Sequence, residues 1–263
     1  MKLNETAELV PAVFIGHGSP MNTLESNLFT QRWRELALTI GRPKAILALS
    51  AHWYVPATAV TAMANPRTIH DFSGFPRELS EFEYPAPGSP ALAVAVEGVL
   101  SSQDVVQDDA QWGLDHGTWS VLAQMYPDAD IPVVQLSLNS TFSAVQHLEV
   151  GKRLNALRHE GVLVLCSGNV VHHLGLLDRS QHDGVFGWAQ QFDSEVQRLM
   201  ASDPASLPQI IDHPDWSKAA PTPEHFIPLL YLAGVACESE SHPEVVVEGG
   251  TMGSLTMTSF LVN

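Results

Sequence analysis

The chain has 263 residues, is 45% hydrophobic, and carries 13 Lys plus Arg against 29 Asp plus Glu, a formal charge of −16. That charge repels phosphate backbones and no basic cluster offsets it, which argues against nucleic acid as a partner, while two cysteines, Cys166 and Cys237, are too few for a disulfide framework. No run of about 18 uncharged apolar residues is present, and the opening MKLNETAELVPAVF lacks the segments of a signal peptide, so a cytoplasmic protein with no membrane partner is expected.

In chain order, PAVFIG (11–16) reads as a buried strand, and residues 22–40 form an amphipathic helix with Leu24, Leu28, Leu36 and Ile40 at multiples of four. KAILALSA (44–51) and VTAM (60–63) are strands; a helix follows over 90–100, then a short VVQ strand and a helix after Gly117. IPVVQLSL (131–138), a helix over 144–159 and GVLVLCSG (161–168) continue the alternation. The last third adds helices over 188–201 and 224–233 and strands over 244–249 and 254–262, with GGTMG as the turn between them. Continuous apolar strands separated by helices predict a single α/β domain over 1–263, with a largely parallel central sheet flanked by helices. Residues 65–90 are irregular and rich in Pro, Gly and aromatics, as expected of a structured loop that covers a site.

Small molecules bind beyond the carboxyl ends of strands in open α/β sheets. Three of the twelve histidines fall there: His17 in GHGSP, His52 in SAHW and His172 in GNVVHH. His116 and His225 stand at helix starts. Any one of these has an ordinary reading as a cap or a core hydrogen-bonding group. Together they could converge on one ion, because neutral imidazole is the commonest side-chain metal ligand. His70, in the long loop, is a candidate substrate contact, and the loop from His70 to Phe75 a candidate pocket wall. His147, His159, His182, His213 and His242 are expected on the surface, and His173 should face away from His172. GHGSP is not a GxSxG elbow, no Gly-rich nucleotide motif is present, and Cys166 lies inside an apolar strand, so hydrolytic serine, dinucleotide and thiol chemistries find no support.

The motifs GHGSPMN, SAHW, TIHDFSGFP, YPAPGSP, GLDHGTW, YPDADIPVVQLS, SGNVVHHL, PTPEHFIPLLY and MGSLTM, in that order from Pro11 to Val262, resemble the 4,5-DOPA extradiol dioxygenase group of the class III extradiol ring-cleavage dioxygenases. The resemblance implies one divalent metal at the strand ends and opening of a catechol, L-DOPA or a relative, by O2. It implies His17, His52, His172 and His225 as metal-binding residues and His116 and His172 as catalytic ones. His225 stands where the protocatechuate branch has a ligating glutamate, and His172 where that branch has its acid/base histidine. An all-histidine site suits Zn2+, expected in the purified protein, as well as the Fe2+ expected for ring cleavage. A zinc hydrolase on the same site, and a non-catalytic binding protein of the same fold, remain open at this point. Nothing in the sequence sets the assembly state.

Overall fold

The computed structural model describes residues 9–101, 103–239 and 241–263. The N-terminal residues 1–8, on which part of the expectation of no signal peptide rests, lie outside them. The chain builds β1 (Ala12–Gly16), α1 (Leu28–Ile40), β2 (Ala45–Val55), β3 (Thr58–Thr61), α2 (Arg77–Ser80), α3 (Pro90–Val99) and β4 (Val105–Asp108). α4 (His116–Met125), β5 (Val133–Asn139), α5 (Ala144–Arg158), β6 (Val162–Gly168), α6 (Gly187–Ser202), α7 (Trp216–Ala219) and α8 (Ile227–Cys237) follow. β7 (Glu244–Val247), β8 (Gly250–Thr251), β9 (Leu255–Thr256) and β10 (Ser259–Val262) close the chain.

Eight strands form one sheet in the order β4-β3-β5-β2-β6-β1-β10-β7. The central four, β5, β2, β6 and β1, run parallel. β10 and β7 add antiparallel edge pairings, and β3 joins β5 antiparallel. Every residue of β1, β5 and β6 is buried, as expected of predominantly apolar strands covered on both faces. Alternate side chains divide between two cores. Phe14, Leu47 and Val164 meet α3, α5, α6 and α8 on one face, while Val13, Ile46 and Leu165 meet Trp33 of α1 and Trp119 of α4 on the other. Among the described residues no helix is long and apolar enough to cross a membrane.

Several sequence expectations are corrected. The first helix begins at Leu28 rather than residue 22, because Pro20–Thr23 forms a separate 3-10 turn and Asn27 caps α1 in a capping box with Thr30. The expected strand 254–262 is two: β9 pairs with β8 in a small hairpin, and β10 pairs with β1 and β7. β2 runs past residue 51 to Val55. His147, expected on the surface, is buried on α5, where its Nδ1 lies 2.9 Å from the Tyr231 hydroxyl of α8. The loop over 65–90 contains the short α2 and a parallel bridge between Thr68 and Leu114.

Candidate metal centre

Because β6 is inserted between β1 and β2, the carboxyl ends of these three strands are neighbours, and the residues just beyond them share one space. His17 follows β1 directly, its backbone N–H donating to the Gly168 carbonyl at the end of β6 (2.9 Å). Its Nδ1 is 2.9 Å from Ser167 Oγ. The Ser167 hydroxyl donates its proton to the Gly117 carbonyl at 2.6 Å, so it meets His17 as an acceptor. The proton of His17 therefore sits on Nδ1 and the lone pair on Nε2.

His52 lies inside β2, not after it. Pairing with β5 matches Leu49 to Leu136 and then Tyr54 to Leu138, so the intervening stretch of β2 bulges and turns His52 toward His17. His52 Nδ1 contacts Asp71 Oδ2 at 2.9 Å, and the Nε2 atoms of His52 and His17 are 3.4 Å apart. His116 opens α4 behind the N-cap Asp115, with Nδ1 on Asp71 Oδ1 at 2.8 Å. His225 ends a 3-10 turn before α8. Its Nδ1 faces Glu224 Oε1 at 3.2 Å, and Thr222 Oγ1 donates to the same oxygen at 2.7 Å. The His225 carbonyl accepts from Asn169 N at 2.8 Å and passes so close to Gly168 that a Cβ there would collide with it.

The imidazoles gather tightly. Ring centroids of His17 and His52 are 5.3 Å apart, those of His52 and His116 3.8 Å, and those of His225 and His52 5.1 Å. One ring nitrogen from each of His17, His52 and His116 lies within 4.8 Å of the others. His172 stacks on His225 with centroids 3.5 Å apart and planes 4° from parallel. An ion held by an imidazole lies near the ring plane along the nitrogen lone pair, so for these two rings to share one ion at least one of them would have to turn out of the stack. Among the described residues His172 has no side-chain hydrogen-bond partner, and its backbone N–H donates to Ala219. His173 turns away, its Nδ1 donating to the Lys218 carbonyl.

Burial, reinforced by the neighbouring imidazoles, lowers His17 and His225 well below the ordinary histidine value and takes His172 down to about 4. His116 is lowered too, burial outweighing Asp71. His52 alone is raised: burial opposes its charge, but the Asp71 hydrogen bond with the nearby carboxylates prevails. Asp71 is held well below the carboxylate range, its own burial overcome by the two imidazoles. Neutral imidazoles with Nδ1 engaged and Nε2 free are metal donors, with hydrogen-bond acceptors behind them. Two lone pairs facing each other at 3.4 Å repel unless a proton or a cation stands between. That spacing also matches two ligands each about 2.1 Å from one ion near the tetrahedral angle. The residues fit a metal.

The five histidines singled out from the sequence gather in one space, with Glu224, the neighbour of His225, behind that ring; Asp71 and Ser167, which stand behind the others, were not singled out. Asp71 directly follows His70 in TIHDFSGFP, and an acidic residue beside a loop histidine was the available signal. His70 itself donates from Nε2 to the Phe82 carbonyl at 2.8 Å and packs on Trp119, tying down the loop. Phe72 sets its ring edge-on to His116.

Residues 10–258 match the family model described as the catalytic LigB subunit of aromatic ring-opening dioxygenase. The chain is 48% identical over 254 residues to the 4,5-DOPA dioxygenase extradiol of Escherichia coli (strain K12), with 95% of this chain and 93% of that one covered. It is 39% identical over 261 residues to the 4,5-DOPA dioxygenase extradiol of Beta vulgaris, covering 94% and 96% respectively. The crystal structure of an uncharacterised Escherichia coli K12 protein superposes with a TM-score of 0.84 at 43% identity, over 97% of this chain and 100% of that one.

Proposed function

The chain belongs to the family of the catalytic LigB subunit of aromatic ring-opening dioxygenases and is an extradiol dioxygenase that opens a catechol with O2; on that premise we propose that L-DOPA, cut at the 4,5 bond, or a closely related catechol is its substrate. The relatives named for that reaction support the choice. The hydrolase and the binding protein find no counterpart among them.

The observation that carries the site is the pair of Nε2 atoms of His17 and His52, 3.4 Å apart with their protons held on the far side of each ring. These two would hold one divalent ion per chain, Fe2+ for turnover and Zn2+ as a bound but inactive substitute. His225 is the proposed third donor, and His116, whose ring nitrogen groups with those of His17 and His52, is the competing one. When bound, the ion supplies Lewis acidity toward the two phenolic oxygens and, as Fe2+, a path for electrons from ring to O2.

His172, stacked on His225, would take the second phenolic proton and return it later. Burial lowers its pKa to about 4 against the opposing pull of Glu224, and a catecholate beside it would raise that value toward neutrality. His116, its Nδ1–H committed to Asp71, offers Nε2 to a substrate hydroxyl. Phe72 and Phe75, packed edge to face, form the aromatic wall. We place the enzyme, as one domain over 1–263, in the cytoplasm, where its unpaired Cys166 and Cys237 stay reduced.

Metal-stripped protein reloaded without oxygen with Fe2+ or Zn2+, given L-DOPA and then O2, tests this reading. O2 uptake and yellow product are expected with Fe2+ and not with Zn2+. Turnover of a substrate without O2 would replace it by the hydrolase.

A further inference from the structure

Asp71 touches two of the five histidines at once. Its Oδ2 accepts from His52 Nδ1 at 2.9 Å, and its Oδ1 accepts from both His116 Nδ1 at 2.8 Å and His116 N at 3.2 Å. The loop that carries it is fixed independently: Ile69 N donates to Leu114 O (2.7 Å), Leu114 N to Arg67 O (2.9 Å), and Trp119 Nε1 to Ile69 O (2.8 Å). The carboxylate is thus held in place against the start of α4.

We propose that Asp71 is the positioning residue that sets the tautomers of His52 and His116 together, so that both turn an Nε2 lone pair toward the shared space. An ionised carboxylate only accepts, so each imidazole facing it must put its proton on Nδ1. An amide in the same place accepts through one atom and donates through the other. The oxygen would stay on the His116 side, where two N–H groups converge on one atom, and the amide NH2 would face His52. His52 must then carry its proton on Nε2, 3.4 Å from the Nε2 lone pair of His17. A His52 to His17 hydrogen bond would close the gap that otherwise takes the ion. The inference rests on the metal reading for its consequence, but the tautomer assignment stands apart from ring cleavage.

The test uses metal-free protein at about pH 8.5, above the ordinary imidazole range, with nitrogen-15 NMR of the histidine rings and a Zn2+ titration against a competing chelator. Wild type should show His52 and His116 protonated on Nδ1. Asp71→Asn should move the His52 proton to Nε2 and weaken Zn2+ binding about 10- to 100-fold; Asp71→Glu, which still only accepts, should restore the Nδ1–H form. A purely structural Asp71 would lower the unfolding midpoint and leave the tautomers alone. A folded Asp71→Asn with unchanged tautomers and Zn2+ affinity overturns the proposal. Should that variant not fold, wild-type protein with the His52 proton on Nε2 overturns it as well. Neither readout involves catechol or O2, so a failure of the ring-cleavage reading leaves this result distinguishable.

Discussion

His17 and His52 come from different strands, yet their Nε2 atoms lie 3.4 Å apart. β6 between their strands, the bulge in β2 and the acceptors Ser167 and Asp71 produce that meeting. Each of these supports can be removed separately.

Ser167→Ala removes the acceptor behind His17 and frees its ring to turn or change tautomer. Metal affinity should fall about tenfold. The Gly117 carbonyl loses a partner, so stability should drop by about 1 to 2 kcal/mol. Chelator competition and urea unfolding measure the two effects.

From the stacking of His172 on His225 we assign the two rings different roles, His225 to the metal and His172 to proton transfer. After dialysis against Zn2+ at limiting concentration, His225→Ala should retain little metal, while His172→Ala and His116→Ala should retain most of it and, when loaded with Fe2+ instead, should fail to open the ring. Metal retained by His225→Ala and lost by His116→Ala would make His116 the third donor.

Gly168→Ala places a methyl against the His225 carbonyl. The segment carrying His225 must shift, at a cost of about 1 to 3 kcal/mol, and metal binding should weaken with it. Thermal unfolding with and without Zn2+ checks both: the variant should unfold at a lower temperature and gain less from the ion.

His147 links pH to stability away from the site. Burial lowers its pKa from 6.5 to about 4, so the unfolded chain takes up the proton first. Its contribution is complete above pH 6.5 and is lost as pH falls toward about 4, at most about 3 kcal/mol. In metal-free protein, His147→Gln should unfold with a flatter pH dependence across that window, which urea titrations at several pH values measure.

Most strands were legible because apolar runs mark strands buried on two faces, and His17 and His172 were placed by following such runs; His52, expected just past its strand, lies inside β2. Asp71 was not legible, since its partner His116 lies 45 residues away and only the fold brings the loop over α4. His147 was misread from its polar neighbours Gln146 and Glu149, although Val150 and Leu154, three and seven residues on, place it on the buried face of α5. The separation of β9 from β10 depends on which partner each strand finds, and one apolar run over 254–262 does not record that.

The most direct measurement is an oxygen-electrode titration of the Fe2+-loaded protein with limiting L-DOPA, run beside His17→Ala. One O2 consumed per ring opened by the wild type, and neither uptake nor product from the folded variant, is the expected result. Ring opening without O2 uptake, or full activity in His17→Ala, would contradict oxygen chemistry at the histidine site.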